Sequence, residues 1–211
     1  MQDVQDAHIV PSAGVRPRKR SYIAREIIET VALTLVIFLA IHFSIQRYSV
    51  DVRSRSMQPG LHGGDVLLVN LLAYRFGAPQ RGDVVIIRQP RTLDPKGQLD
   101  PLIKRIIAIP GDTVTISATA VYVNGKKLNE PYLEKLPPDG VETVTGIVSN
   151  LKMGKDQYWV MGDNRRDSTD SRSFGIIARD EIIGKAEVVI WPLNRVQWVP
   201  TYSDVFAQLT P

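Results

Sequence analysis

The chain of 211 residues contains no cysteine. That single absence excludes disulfides, thiolate-bound metals and a cysteine nucleophile, while saying little about compartment. Histidine is scarce, with three in all: His8 in a polar tail, His42 inside an apolar run and His62 beyond it. Scattered in this way they cannot assemble an ordinary zinc site. A Ser-His-Asp triad would have to draw on His62. No internal repeat and no strand–helix alternation is visible, which argues against a dinucleotide fold. An aromatic-studded basic stripe is missing as well. The net charge of +4 owes part of its excess to Arg16, Arg18, Lys19, Arg20 and Arg25, and the body mixes both signs. Nucleic acid is therefore not an expected partner.

What remains is ordinary globular composition, 44% hydrophobic and 23% charged, enough to bury a core. Residues 1–21 are polar, with Pro11, Pro17 and "RPRKR", and read as a disordered basic arm. Residues 22–47 contain "IIETVALTLVIFLAIHFSI" and no formal charge between Glu29 and Arg47, the length an α-helix needs to cross about 30 Å of hydrocarbon. A cleaved secretory signal shares the basic flank and apolar core, but no small-x-small site follows; a buried core helix is the other alternative. The expectation is a single transmembrane anchor, with the arm in the cytoplasm by the positive-inside bias and the rest outside it.

Residues 48–200 read as a mainly β, extracytoplasmic domain, and 201–211 as a C-terminal tail. "DVLLVNLL", "GDVVIIRQ", "LIKRIIAI", "DTVTIS", "AVYVNGKKL", "DQYWVMGD" and "KAEVVIWPL" are short β-branched and aromatic runs separated by Gly, Pro, Asn and Asp. Asn124-Gly125 suits a type I′ hairpin turn. The pattern-poor stretch 136–154 is expected to be a loop with an edge strand.

Chemistry can reside in three places. In "SRSM" a serine needs only a base to become a nucleophile, and a second hydroxyl two residues away shares its side of an extended strand. The plain alternative is a polar turn. In "LIKRIIAIPGD", Lys104 and Arg105 interrupt an apolar set, and alternation sends one of them into an apolar environment. An edge strand whose cations reach back to water is the alternative. Lysine is a poor base at its usual pKa of about 10.4, but burial lowers that value by disfavouring the charge. Arginine stays protonated, so of this pair only Lys104 can serve as a base. In "MGDNRRDSTDSRSFG" no side chain from Asp163 to Ser173 is apolar. A solvated loop is the plain reading; the spacing fails the EF-hand pattern. Asp170 and Arg172 can pair there, and Ser168 can hold an amine in place.

Together and in this order, "SRSMQPGL", "RGDVVII", "KRIIAIPGD" and "MGDNRRDSTDSRSFG" resemble the bacterial type I signal peptidases, membrane-anchored serine proteases of the Ser-Lys kind. "VYVNGKKLNEPYL" looks like the family's intervening hairpin. The resemblance implies a largely antiparallel fold of two β-sheets at the plasma membrane, without a metal or other cofactor. By the same resemblance Ser56 is the nucleophile, Lys104 the general base, Ser54 an oxyanion donor and Ser168 the serine that orients the lysine. Asp170 and Arg172 form a structural ion pair. The implied partners are preprotein signal peptides and the lipid bilayer, with a secretion channel left open.

Val52, Met57, Leu61 and Ile103 are the expected walls of the substrate pocket. A peptide is expected to add alongside 51–54 and 100–104. The chain departs from the family pattern at Arg53, Arg55 and Gly60. A self-cleaving repressor would need a DNA-binding domain that the arm is too short to provide. A non-catalytic anchored β module that binds extended peptides or envelope components is the remaining alternative.

Overall fold

The computed structural model describes residues 19–51, 54–90, 100–133 and 146–209. Most of the basic arm lies outside them. Helix α1 spans Lys19–Ser44. The strands are β1 (Ile45–Ser49), β2 (Val66–Asn70), β3 (Val84–Ile87), β4 (Leu102–Ala108), β5 (Thr113–Ile116), β6 (Val121–Val123), β7 (Lys126–Lys127), β8 (Val148–Lys152), β9 (Gln157–Met161), β10 (Ile177–Ala178), β11 (Ile182–Trp191) and β12 (Gln197–Trp198). Two short α-helices, α2 (Ser171–Phe174) and α3 (Ser203–Ala207), and two 3-10 turns, Arg179–Glu181 and Leu193–Arg195, complete the order among the described residues. The chain divides into two units, 1–42 and 43–211.

The second unit is mainly β. Its larger sheet has 8 strands in the order β1-β2-β11-β3-β4-β9-β10, with β12 paired to β11. The smaller has 4, in the order β7-β6-β5-β8. Every described pairing is antiparallel. The runs that read as strands form strands, and Asn124 and Gly125 both take positive φ, 53° and 75°, as a type I′ turn demands. The expected edge strand within 136–154 is β8, at the rim of the smaller sheet.

Burial explains why these strands are so apolar. All four residues of β3 are buried, and alternate side chains enter different clusters. Val84 and Ile86 join Leu67, Val69, Ile103 and Val189, whereas Val85 and Ile87 join Ile106, Val160 and Ile177. A strand covered on both faces reads as a near-continuous hydrophobic run. A third cluster, including Val114, Val121, Trp159 and Met161, also takes in Phe206 and Leu209 from the segment read as a tail.

Helix α1 coincides with the stretch read as an anchor. Among the described residues, no helix is long and apolar enough to cross a membrane. The apolar side chains of α1 are nonetheless exposed, Val31, Leu35 and Phe38 by 61%, 55% and 61%. Beyond the helix, Ile45, Gln46 and Arg47 enter β1 and pair with Asn70, Val69 and Leu68.

Candidate active site

Lys104 stands on β4, flanked by β3 and β9. The strand is interior, so the edge-strand alternative for its two cations does not apply. Lys104 and Arg105 are each 2% exposed. Arg105 spends its donors on a bidentate pair with Asp163, Nε–Oδ1 2.8 Å and Nη2–Oδ2 2.7 Å. Asp163 is equally buried. Such a pair is strongly costly to break, because the surviving partner becomes an uncompensated buried charge. Burial acts against the Arg105 charge, but Asp163 more than offsets it and holds the guanidinium protonated.

Among the described residues, no carboxylate is bonded to Lys104. Its Nζ donates to Ser56 Oγ at 3.0 Å and to the Ile103 carbonyl at 2.9 Å. Burial disfavours the ammonium and brings the pKa down to about 8. Asp170 and Asp163 oppose this from a distance, and Arg172 adds to it. A substantial fraction of the amine is thus neutral near pH 8, within hydrogen-bond reach of a hydroxyl.

Ser56 opens a turn that continues to Gly60. Its carbonyl accepts from Asn164 N–H at 2.9 Å, so the polar loop after β9 holds the serine's backbone. A Cβ on Gly162 would lie 2.5 Å from that carbonyl and 2.3 Å from Ser168 Oγ; only glycine allows this approach. Ser54 Oγ lies 3.5 Å from Ser56 Oγ, brought there by the turn at Ser56 and not by the extended strand expected, since neither serine stands on a strand. Arg55 between them is exposed, which leaves that arrangement undisturbed.

The polar loop is held from within. Asp170 caps α2 by accepting from Arg172 N–H, takes the Arg172 Nε and Nη2 at 2.8 and 2.7 Å, and accepts from Gly162 N–H at 3.0 Å. Burial pushes its pKa up, but the bonds from Arg172 and Gly162 prevail and keep the carboxylate ionised. Ser168 Oγ is buried without a well-formed hydrogen bond. It lies near enough to Asp170 to favour that carboxylate, and it is not bonded to Lys104. Arg165 pairs with Glu130, and Arg81 joins the "RGD" and "PGD" blocks through Asp112, Nε–Oδ2 2.7 Å.

A cleft of about 610 Å³ opens over the hydroxyls, lined by Tyr48, Val50, Ser54, Ser56, Ile103, Lys104 and Thr169, with Asp51, Arg55, Asp100 and Asp167. Ile103 is one of the residues that line it. Met57 and Leu61 are 3% and 4% exposed and belong to the core beneath the turn; the lining of the cleft does not include them. Val52 and Arg53 lie outside the described residues. Of the two segments expected to flank a peptide, 100–104 enters β4 at Leu102, whereas Asp51 and Ser54 belong to no strand. His62 is engaged elsewhere, its Nδ1 accepting from Arg195 Nη2 at 2.5 Å and its N–H donating to Asp65. Among the described residues no group of acids and histidines could hold a metal ion. Gly162 and Asn164 went unassigned by sequence reasoning, although both lie within the quoted "MGDN".

The family model described as signal peptidase, peptidase S26, matches residues 23–191. A probable signal peptidase I-2 of Synechocystis is 37% identical over 166 residues, spanning 77% of this chain and 73% of that protein. Signal peptidase I T of Bacillus subtilis is 37% identical over 175 residues, 79% of this chain and 86% of that one. A crystal structure of a signal peptidase I from Enterococcus faecalis is 31% identical, with a TM-score of 0.41, and covers 51% of this chain and 95% of its own.

Proposed function

The chain belongs to the signal peptidase family of serine proteases, and from that premise we propose that it removes signal peptides from exported preproteins through a Ser56–Lys104 dyad. One observation carries the reading: a buried lysine amine, with its pKa brought down to about 8, lies 3.0 Å from a serine hydroxyl at the floor of an open cleft.

Neutral Lys104 takes the Ser56 proton as Oγ attacks the carbonyl carbon before the scissile bond. The tetrahedral oxyanion is stabilised by Ser54 Oγ and the Ser56 N–H, a contribution of about 3 kcal/mol per well-placed donor. As the C–N bond breaks, the lysinium returns its proton to the leaving amine. Water, deprotonated by the same amine, then hydrolyses the acyl-enzyme. Arginine could not cycle a proton in this way. Ile103 and Val50 on the cleft wall favour small apolar side chains before the cut.

The proposal includes a single-pass anchor. From Thr30 to Gln46 the sequence carries no formal charge, and Ile41 and Phe43, whose side chains are not described, belong to that run. The Thr30 and Thr34 hydroxyls donate to the carbonyls of Glu26 and Thr30, each at 2.8 Å, so neither needs water. The cations before the run favour a cytoplasmic N-terminus. An anchor of this kind would hold the cleft near emerging signal peptides.

The test is incubation of the detergent-solubilised chain with a preprotein bearing a small-x-small site, followed by N-terminal sequencing of the product. Wild type should cut at that site, and Ser56→Ala and Lys104→Arg should not. Equal cleavage by Ser56→Ala would overturn the dyad.

A further inference from the structure

The match to the family model ends at Trp191, and the chain beyond it is packed. Val199, Phe206 and Leu209 are 8%, 3% and 2% exposed. The segment is tied down along its length. The Leu209 carbonyl accepts from Asn124 Nδ2 at 3.0 Å, and the Gln208 carbonyl from Lys126 Nζ at 3.0 Å. It crosses β-turn residue Gly82 so closely that a Cβ there would meet the Thr201 carbonyl oxygen at 2.0 Å.

Its inner surface ends on Arg105. Arg105 Nη1 donates to the Pro200 carbonyl as well as to Gly82, both at 2.8 Å. The guanidinium carbon lies 5.2 Å from the ring centroid of Tyr202 and 4.6 Å from that of Tyr132, within cation–π range. The two rings are in contact at 5.4 Å. Arg105 follows Lys104 directly in β4. Its partner Asp163 precedes Asn164, whose N–H holds the Ser56 carbonyl at 2.9 Å. Each member of the dyad is thus one residue, or one residue and one hydrogen bond, from the Arg105–Asp163 pair.

We propose that the C-terminal segment 199–209 is a clamp on the Arg105–Asp163 pair, and that Tyr202 is a positioning residue for the dyad. The inference rests on the peptidase reading above. Tyr202 does not line the cleft, so it acts through Arg105 and not on substrate. Removing its ring loosens the guanidinium, misaligns Ser56 and Lys104, and leaves the Asp163 carboxylate less neutralised. The charges that bear on Lys104 are Asp170 and Asp163, which favour the ammonium, and Arg172, which disfavours it. A freer Asp163 therefore moves the lysine's titration upward. Better access of water to β4 acts in the same direction.

Tyr202→Leu keeps apolar volume and removes the aromatic face; Tyr202→Phe keeps the face and serves as the conservative control. The expected result for Tyr202→Leu is a kcat lowered about 10-fold with KM little changed, and a pH midpoint raised by about half a unit or more. Tyr202→Phe should match wild type in all three. Lys104 is also titrated directly by NMR of the ε-13C-labelled lysines, assigned with Lys104→Arg. That readout needs no substrate, so the clamp is tested even if wild type fails to cleave and the peptidase reading falls. A Tyr202→Leu variant with wild-type kcat and an unmoved Lys104 titration overturns the clamp. If Tyr202→Leu does not fold, Tyr202→His is measured in the same way, with the same expected and contrary results.

Discussion

Gly162 and the Ser56 carbonyl are in such close approach that a Cβ on Gly162 would stand 2.5 Å from the oxygen. Ser168 Oγ crowds the same point at 2.3 Å. Neither neighbour is the free end of a flexible side chain: one is backbone, and the other is a short hydroxyl held in a buried loop. Gly162→Ala must therefore push the polar loop and the nucleophile's turn apart. A displacement near 1 Å at a reacting atom costs about 100-fold. The expected outcome is a kcat/KM lowered by about that factor with far-UV circular dichroism unchanged, measured on the purified variant.

Lys104 makes stability rise with pH, the same direction as a salt-bridged acid but in an alkaline window. Its pKa in the folded chain is about 8, against an ordinary lysine value of 10.5. Between those values the unfolded chain binds more protons, so the folded state gains stability as pH rises and carries its full penalty below 8. The shift corresponds to roughly 3 kcal/mol. Lys104→Met should thus be more stable than wild type at pH 6–7 by up to about that amount, with the advantage fading towards pH 10.5. Urea unfolding at several pH values measures it; a constant difference across the range would contradict a neutral buried amine.

Among the described residues, Asp163 is the one carboxylate bonded to the buried Arg105 guanidinium. Asp163→Asn leaves that charge without a counter-ion, a change that costs about 3–5 kcal/mol. Arg105 itself cannot escape by deprotonation. Thermal unfolding should show a drop of that size, and Arg105→Lys should not compensate for it, because a single ammonium cannot reach Asp163, Gly82 and Pro200 together.

The anchor reading makes its own demand on α1. An arginine at the centre of a spanning helix costs about 2.5–3.5 kcal/mol. Leu35→Arg with Phe38→Arg should release the chain from membranes on alkaline carbonate washing, whereas wild type stays in the pellet. Wild type in the supernatant would contradict the anchor.

The strands were legible because a sheet buried on both faces leaves an unbroken β-branched run, as in "VVII" of β3, and the hairpin because Asn-Gly fits two positive φ angles. Lys104 was legible for a related reason: a titratable cation within an apolar run has to be buried or at an edge, and only burial makes it a base. What stayed hidden depends on contacts distant in sequence. The Arg105–Asp163 pair joins residues 58 apart, and nothing local to either names the other. Met57 and Leu61 looked like pocket walls because they neighbour the nucleophile, yet the turn directs them into the core. The segment 201–211 read as a tail because Phe206 and Leu209 are too few to make a periodic pattern, although both are buried.

The most direct measurement is kcat/KM for preprotein cleavage from pH 6 to pH 10, on wild type and Ser56→Ala. The account predicts a wild-type profile that rises with pH through a midpoint near 8, as the free enzyme's amine loses its proton, and no cleavage by Ser56→Ala. A profile flat across that range, or cleavage by Ser56→Ala at the wild-type rate, would contradict it.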